Sequence, residues 1–175
     1  MEIVNFFEKL AGKWFSQRTT HDIASKQSQA GKSDLQIDFL PADSADVQQL
    51  CQAAAAAAPA LCGLRLSQSS TIEGDPKTLT GTTLMVPLSP AADGSGSILY
   101  GTPSSSSMRQ YRLEDGVLTI LAEDDQARSE ERLWFVNDNV RMRTQVLERP
   151  DGLRLTSFCS EIRLGAKPPA SSATG

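Results

Sequence analysis

SEERLWFVNDNVRMRTQVLERPDGLRLTSFCSEIRL, residues Ser129 to Leu164, holds three long segments of strand-forming chemistry separated by two short polar turns. In the second turn, Arg149-Pro150-Asp151-Gly152-Leu153, Pro suits the first turn position and Gly the left-handed third, as in a three-residue hairpin loop closed by a bulge. That turn sets a register in which Leu147 faces Leu155, Gln145 faces Ser157, Arg143 faces Cys159 and Arg141 faces Glu161. Asn137-Asp138-Asn139 closes the first turn in the same way, because Asn tolerates the left-handed region; Phe135 then lies near Arg141 and Glu131 near Gln145. By period two, one face gathers Glu131, Arg141, Arg143, Ser157 and Glu161. The opposite face carries Trp134, Val136, Val140, Met142, Val146, Phe158 and Ile162, the expected core stripe. A face so rich in charge belongs either to solvent, where an Arg141–Glu161 pair would be an ordinary cross-strand contact, or to a ligand cavity.

Outward from this stretch the chain reads mostly as strands. Glu2 to Ala11 places Ile3, Phe6, Phe7 and Leu10 on one helical face, a short plug helix ending near Gly12. Lys13 to Ser28 follows as a strand with Trp14, Ser16, Arg18 and Thr20 on one face, and Ala30-Gly31 is the expected turn into Ser33 to Leu40, which alternates cleanly. After Pro41, Asp43 or Ser44 can cap a helix striped by Val47, Leu50, Cys51 and Ala54 and favoured by the alanines Ala53 to Ala58; it is expected to lie across a barrel end. Strands are then expected over 63–70, 77–88, 97–102, 108–113 and 117–122, punctuated by Asp75-Pro76, Asp93-Gly94 and Asp115-Gly116. About ten short-linked strands form a meander, and a sheet of that size tends to close, because closure removes its edges. The expected fold is an all-β, ten-stranded antiparallel calyx barrel with a short N-terminal helix and one helix between strands 2 and 3. It forms one domain over 1–165, with 166–175 a disordered tail.

Composition narrows the function. At 175 residues with 39% hydrophobic content the chain suits one filled core, and its net charge of −4 argues against nucleic acid, whose binding rests on phosphate neutralisation. The N-terminal segment carries Glu2 and Glu8 and has no uninterrupted apolar run, so neither a signal peptide nor a membrane span is expected. Cys51, Cys62 and Cys159 fit no disulfide or zinc spacing, and His21 is the single histidine, better placed on a rim than as a base. A reducing cytoplasm, no metal and packing roles for the three cysteines follow as expectations.

Four stretches carry a family resemblance: GKWFSQRTTHDIASKQSQAGKSDL (12–35), ALCGLRL (60–66), ERLWFVNDNVRMRT (131–144) and SFCSEIRLG (157–165). They resemble the CpcS/CpeS type of phycobiliprotein lyase over nearly the whole chain, WFSQRT and the closing SEIRLG being the specific motifs. Two places differ from the family pattern, His21-Asp22 replacing a His-His pair and 66–75 carrying no Trp. The resemblance implies a lipocalin-like barrel that binds a free linear tetrapyrrole, phycocyanobilin or phycoerythrobilin, as substrate rather than permanent cofactor. It passes this bilin to a cysteine of a phycobiliprotein subunit of the phycobilisome, forming a thioether, and acts alone, as a homodimer or with a paralogous lyase subunit. The family's site residues carry over to Glu131, Arg141, Arg143 and Glu161.

The chemistry fits those residue types. Two propionates suit the guanidiniums of Arg141, Arg143 or Arg18, with Ser157 and Glu161 on the same face, and pyrrole N–H groups can donate to Glu131. Thiol addition also needs a proton delivered to the tetrapyrrole, which a carboxyl in a partly dry pocket can supply. Glu131 and Arg141 are therefore the catalytic candidates, and Arg18, Arg143, Ser157 and Glu161 the ligand-binding ones. The alternative is a non-catalytic module, either an accessory subunit of a heteromeric lyase or a carrier of an apolar small molecule, and a carrier should have an apolar lumen.

Overall fold

In the computed structural model, which describes residues 1–165, helix α1 (Ile3–Leu10) leads into β1 (Gly12–Asp22) and β2 (Gln27–Pro41), and α2 (Ala45–Ala53) follows. The rest is strand: β3 (Cys62–Ile72), β4 (Thr78–Pro87), β5 (Ser95–Thr102), β6 (Ser105–Glu114), β7 (Val117–Glu123), β8 (Arg128–Asn137), β9 (Val140–Glu148) and β10 (Arg154–Leu164). Each strand pairs with its sequence neighbour, and β1 closes on β10, giving the ten-stranded antiparallel barrel that the strand count predicts. The expected tail, 166–175, lies outside the described residues.

The turn chemistry sets the β9–β10 register as expected. Arg149 N–H donates to the Leu153 carbonyl at 3.0 Å and Gly152 takes a φ of 88°, so Leu147 pairs with Leu155 and Arg141 with Glu161. At the other turn Asn139 N–H donates to Asn137 Oδ1 at 2.9 Å, and a bulge between Phe135 and Asn137 absorbs the odd residue. The first hairpin differs from the sequence expectation: Ala30 and Gly31 pair within β2, and the turn lies at 23–26. There Asp22 caps the Ala24 and Ser25 amides and Lys26 takes a φ of 57°, so an aspartate supplies the turn that Ala-Gly was expected to make.

Helix α1 closes one end of the barrel, burying Ile3, Phe6, Phe7 and Leu10 among Leu64, Ile98, Leu118 and Leu133. It is pinned from β10: Arg163 donates to the carbonyls of Lys9 (2.8 Å) and Ala11 (2.6 Å), groups left open at a helix C-terminus. Helix α2 does not lie across a barrel end. It packs on the outer wall, with Val47 and Leu50 against Leu84, Val86 and Leu99. Val47 lies where a side chain at Gly63 would project, and Arg65 of β3 is ion-paired with Asp46. The helix also stops at Ala53 rather than running through the alanines, since Ala55 adopts a φ of 49°; Ser44 occupies the N-cap position, but its hydroxyl makes no capping bond.

One expectation reverses. The stripe Trp134, Val136, Val140, Met142, Val146, Phe158 and Ile162 is the outer face of β8–β10, with Val136 58%, Phe158 47% and Ile162 50% exposed. Alternation tells which residues share a face but not which face turns inward, and here the charged face is the inner one.

Candidate functional site

Because β8, β9 and β10 are long, regularly paired strands, their inward side chains stack in rows. Arg141 and Arg143 of β9 stand beside Glu131 of β8 and Glu161 of β10. Glu161 is buried and accepts from both arginines, through Arg141 Nε and from Arg143 Nη2 at 3.1 Å. Arg143 Nη1 also lies 3.7 Å from a Glu131 oxygen. Two guanidiniums and two carboxylates thus form one continuous network.

Burial alone would push the Glu161 carboxyl up, yet Arg143 and Arg141 outweigh it and hold it below the usual carboxylate range. For Arg141 the balance goes the other way: burial pulls its guanidinium down to about 10, against the pull of Glu161. It remains a cation at neutral pH. Burial opposes the charge of Arg143 as well, but Glu131 and Glu161 more than compensate and raise it. Arg141 is further clamped by aromatic packing, its guanidinium carbon 4.3 Å from the Trp14 ring centre, and Arg163 stacks on the same ring at 4.2 Å. Trp14 itself is fully buried and donates its indole N–H to the Leu10 carbonyl at 2.9 Å, which locks the platform.

This network forms one wall of a lumen cavity of about 190 Å³. Arg18, Glu131, Arg141, Arg143 and Glu161 all line it, together with Leu10, Ile37, Leu64 and Leu133 from the apolar end, Gln68 and Ser70 from β3, and Tyr100 from β5. The cavity therefore brings together five of the six candidates read from the sequence. The sixth, Ser157, does not line it; its hydroxyl is hydrogen-bonded to Thr20 at 3.0 Å. A larger groove, about 530 Å³, lies among Gln17, Thr19, Lys32, Phe158 and Ser160 of the outer face and shares Arg18 with the lumen cavity, but the acid–base network is in the lumen. His21 is exposed and hydrogen-bonded to Ser28 at 2.7 Å, a rim position.

Tyr100 and Arg109 were missed from sequence. They stack in the structure, the guanidinium carbon of Arg109 lying 4.0 Å from the ring centre of Tyr100. Their strands run into Ser- and Gly-rich stretches, so only parity with Ile98 and Tyr111 could have marked them as inward-facing. Burial pushes the Tyr100 phenol up, Glu131 adding to the rise and Arg109 and Arg143 opposing it; the tyrosine shares the cavity lining with the network and carries Arg109 on its ring. None of the cysteines is disulfide-bonded. Burial, with a smaller contribution from Glu8, pushes the Cys62 thiol up to about 12, and burial also raises Cys51. Neither is poised to be a nucleophile.

The model of the CpeS-like protein family matches residues 2–164. The chain belongs to that family. It is 42% identical, over 98% of its own length and 98% of the relative's, to a protein of Thermosynechococcus vestitus named chromophore lyase CpcS/CpeS. It is 29% identical to the phycocyanobilin lyase subunit CpcS of a Picosynechococcus species, covering 96% of this chain and 89% of that one. Among solved structures it superposes on the S-type phycobiliprotein lyase CPES of Guillardia theta with a TM-score of 0.84, at 26% identity and with 95% of each chain covered.

Proposed function

We propose that the lumen binds a free linear tetrapyrrole and presents it to a cysteine thiol of a phycobiliprotein subunit, to which the chain attaches it as a thioether. The chain is a chromophore lyase. The observation that carries this is the pairing, in one cavity, of an apolar end with a wall of two arginines and two carboxylates. A conjugated tetrapyrrole with polar N–H groups and two propionates is apolar and charged in the same sense. A carrier of an apolar molecule would need a lumen without that wall.

The cavity volume bears on the mechanism. At about 190 Å³ it is smaller than the ~300 Å³ at which pockets begin to enclose drug-sized ligands. A tetrapyrrole seated there leaves part of its length in the mouth, where a thiol from another protein can reach it. The thiol gives up its S–H proton as its sulfur bonds to the exocyclic carbon, the exocyclic C=C π bond is consumed, and one proton is added to the adjacent ring carbon, so protons balance. Glu161 is a poor proton donor, because two guanidiniums hold it ionised. Glu131 meets a single arginine, lines the cavity and is the carboxyl we assign to the proton. Arg141, with only its Nε engaged by Glu161 among the described residues, turns the rest of its guanidinium toward the ligand, and Arg143 holds Glu131 in place.

The substrate we infer is phycocyanobilin or phycoerythrobilin, with no permanent cofactor and with the reaction in the cytoplasm. The chain acts alone or paired with a second copy or a paralogous subunit. The test is to mix the purified protein with free phycocyanobilin and then add an acceptor subunit. A red-shifted, intensified visible band followed by colour that stays with the acceptor under denaturing conditions is expected. Glu131→Gln should keep the bilin, alter its absorption and slow transfer, whereas Arg141→Ala should weaken binding itself. A wild-type protein that leaves the free-bilin spectrum unchanged would overturn the assignment.

A further inference from the structure

Within the lumen, charge is unevenly matched. Arg141 and Arg143 are answered by Glu161 and Glu131. Arg18 and Arg109 make no ion pair with any of the described residues. Arg18 sits on β1 and Arg109 on β6, five strands apart in either direction round the barrel, so they stand on opposite walls. Arg18 lines the cavity and, as an exposed residue at its margin, the neighbouring groove as well. Arg109 does not itself line the cavity but stands directly behind Tyr100, which does: it pairs across strands with the fully buried Ile98, which sets its inward parity, and stacks on the Tyr100 ring.

Arg109 also carries an unmet demand: its Nε is buried and has no hydrogen-bond partner. A desolvated N–H without an acceptor is destabilising, and native proteins rarely keep one that nothing fills. Stacking fixes the plane of the guanidinium, and its two terminal nitrogens make no hydrogen bond with the described residues, an arrangement that can take a carboxylate through two parallel bonds.

We propose that Arg109, held flat on Tyr100, is a carboxylate-binding residue of the lumen, taking one propionate of the bound tetrapyrrole while Arg18 takes the other from the opposite wall. This rests on the bilin assignment above and deepens it. The two unpaired cations match a dianion, and the internally balanced network of Arg141, Arg143, Glu131 and Glu161 is left to face the pyrrole nitrogens. It also makes the lumen selective for the diacid over esterified or decarboxylated tetrapyrroles.

The experiment is a visible-absorption titration of wild type, Arg109→Met and Arg109→Lys with phycocyanobilin and with its dimethyl ester, at matched folded fractions. For the diacid, Arg109→Met is expected to lose roughly tenfold or more in affinity, the range for a charge-assisted hydrogen bond, with Arg109→Lys intermediate. For the diester, all three proteins should bind alike. Equal losses for diacid and diester would make Arg109 a structural residue, and an unchanged diacid affinity in Arg109→Met would remove it from the site; either result overturns the proposal while wild-type binding leaves the bilin assignment standing. Wild-type protein that binds neither compound would overturn both.

Discussion

The wall built from β3, β4 and β5 and the wall built from β8, β9 and β10 use the same alternating strands in opposite ways. On the first, Leu64, Met85 and Ile98 point inward while Leu84, Val86 and Leu99 point outward under α2, so where α2 packs both faces are apolar and both are covered. On the second, Glu131, Arg141, Arg143 and Glu161 point inward, and Val136, Phe158 and Ile162 point outward with nothing from the described chain over them. The difference teaches that a barrel strand does not decide its inner face by hydrophobicity alone. An inward row of charges is tolerated when its members complete one another's hydrogen bonds and an aromatic platform, here Trp14, fills the space beside them.

Removing the centre of the charged wall should have the largest effect. Glu161→Leu leaves Arg141 buried without an acceptor and Arg143 with Glu131 alone, so we expect a loss of about 3–5 kcal/mol, the usual range for breaking a buried ion pair. Urea unfolding monitored by tryptophan fluorescence measures it. On the covered wall, Leu50→Ala removes a fully buried contact under α2 and should cost about 2–4 kcal/mol. The two walls then separate by function: Leu50→Ala should leave bilin affinity within twofold at matched folded fractions, and Glu161→Leu should not. Equal effects on binding would erase the distinction drawn between the walls.

Acid should expose the same difference. The folded-state pKa of Glu161 lies below its unfolded value, so its contribution is complete above the ordinary carboxylate range near pH ~4.3 and is lost as pH falls through the folded value. The stability gap between wild type and Glu161→Gln should therefore be widest at neutral pH and narrow on acidification. The gap between wild type and Leu50→Ala should stay nearly constant with pH. Denaturant midpoints at pH 7 and at pH 4 for the three proteins decide it.

Much of this arrangement was legible in the sequence. The Pro-Asp-Gly and Asn-Asp-Asn turns specify pairings that the barrel reproduces from Phe135–Arg141 to Leu147–Leu155, and the resemblance carried by WFSQRT and SEIRLG led to the right family. The inward face was not legible, because period two is symmetric and Trp134, Met142 and Phe158 are the residues a core would be expected to hold. A usable signal was present on the charged parity itself, where Leu133, Phe135 and Cys159 alternate with the ions and are buried or half-buried. Arg109 and Tyr100 escaped for another reason: stacking between neighbouring strands depends on side-chain geometry that no one-dimensional spacing encodes.

The smallest expected effect tests the reversed face most directly. If Ile162 were a core residue, Ile162→Thr would bury a hydroxyl and remove apolar volume, and the loss would reach several kcal/mol. In the structure Ile162 is 50% exposed on the outer face of β10, opposite Val140 of β9. Threonine keeps the β-branched shape that a pleated strand favours, so its hydroxyl meets water and the backbone preference is retained. The change should therefore stay within about 0.5 kcal/mol of wild type, with bilin titration unaltered. A loss of more than about 2 kcal/mol in the same urea series would place Ile162 in a core, turn Arg141 and Glu161 out to solvent, and invert the assignment of the two walls.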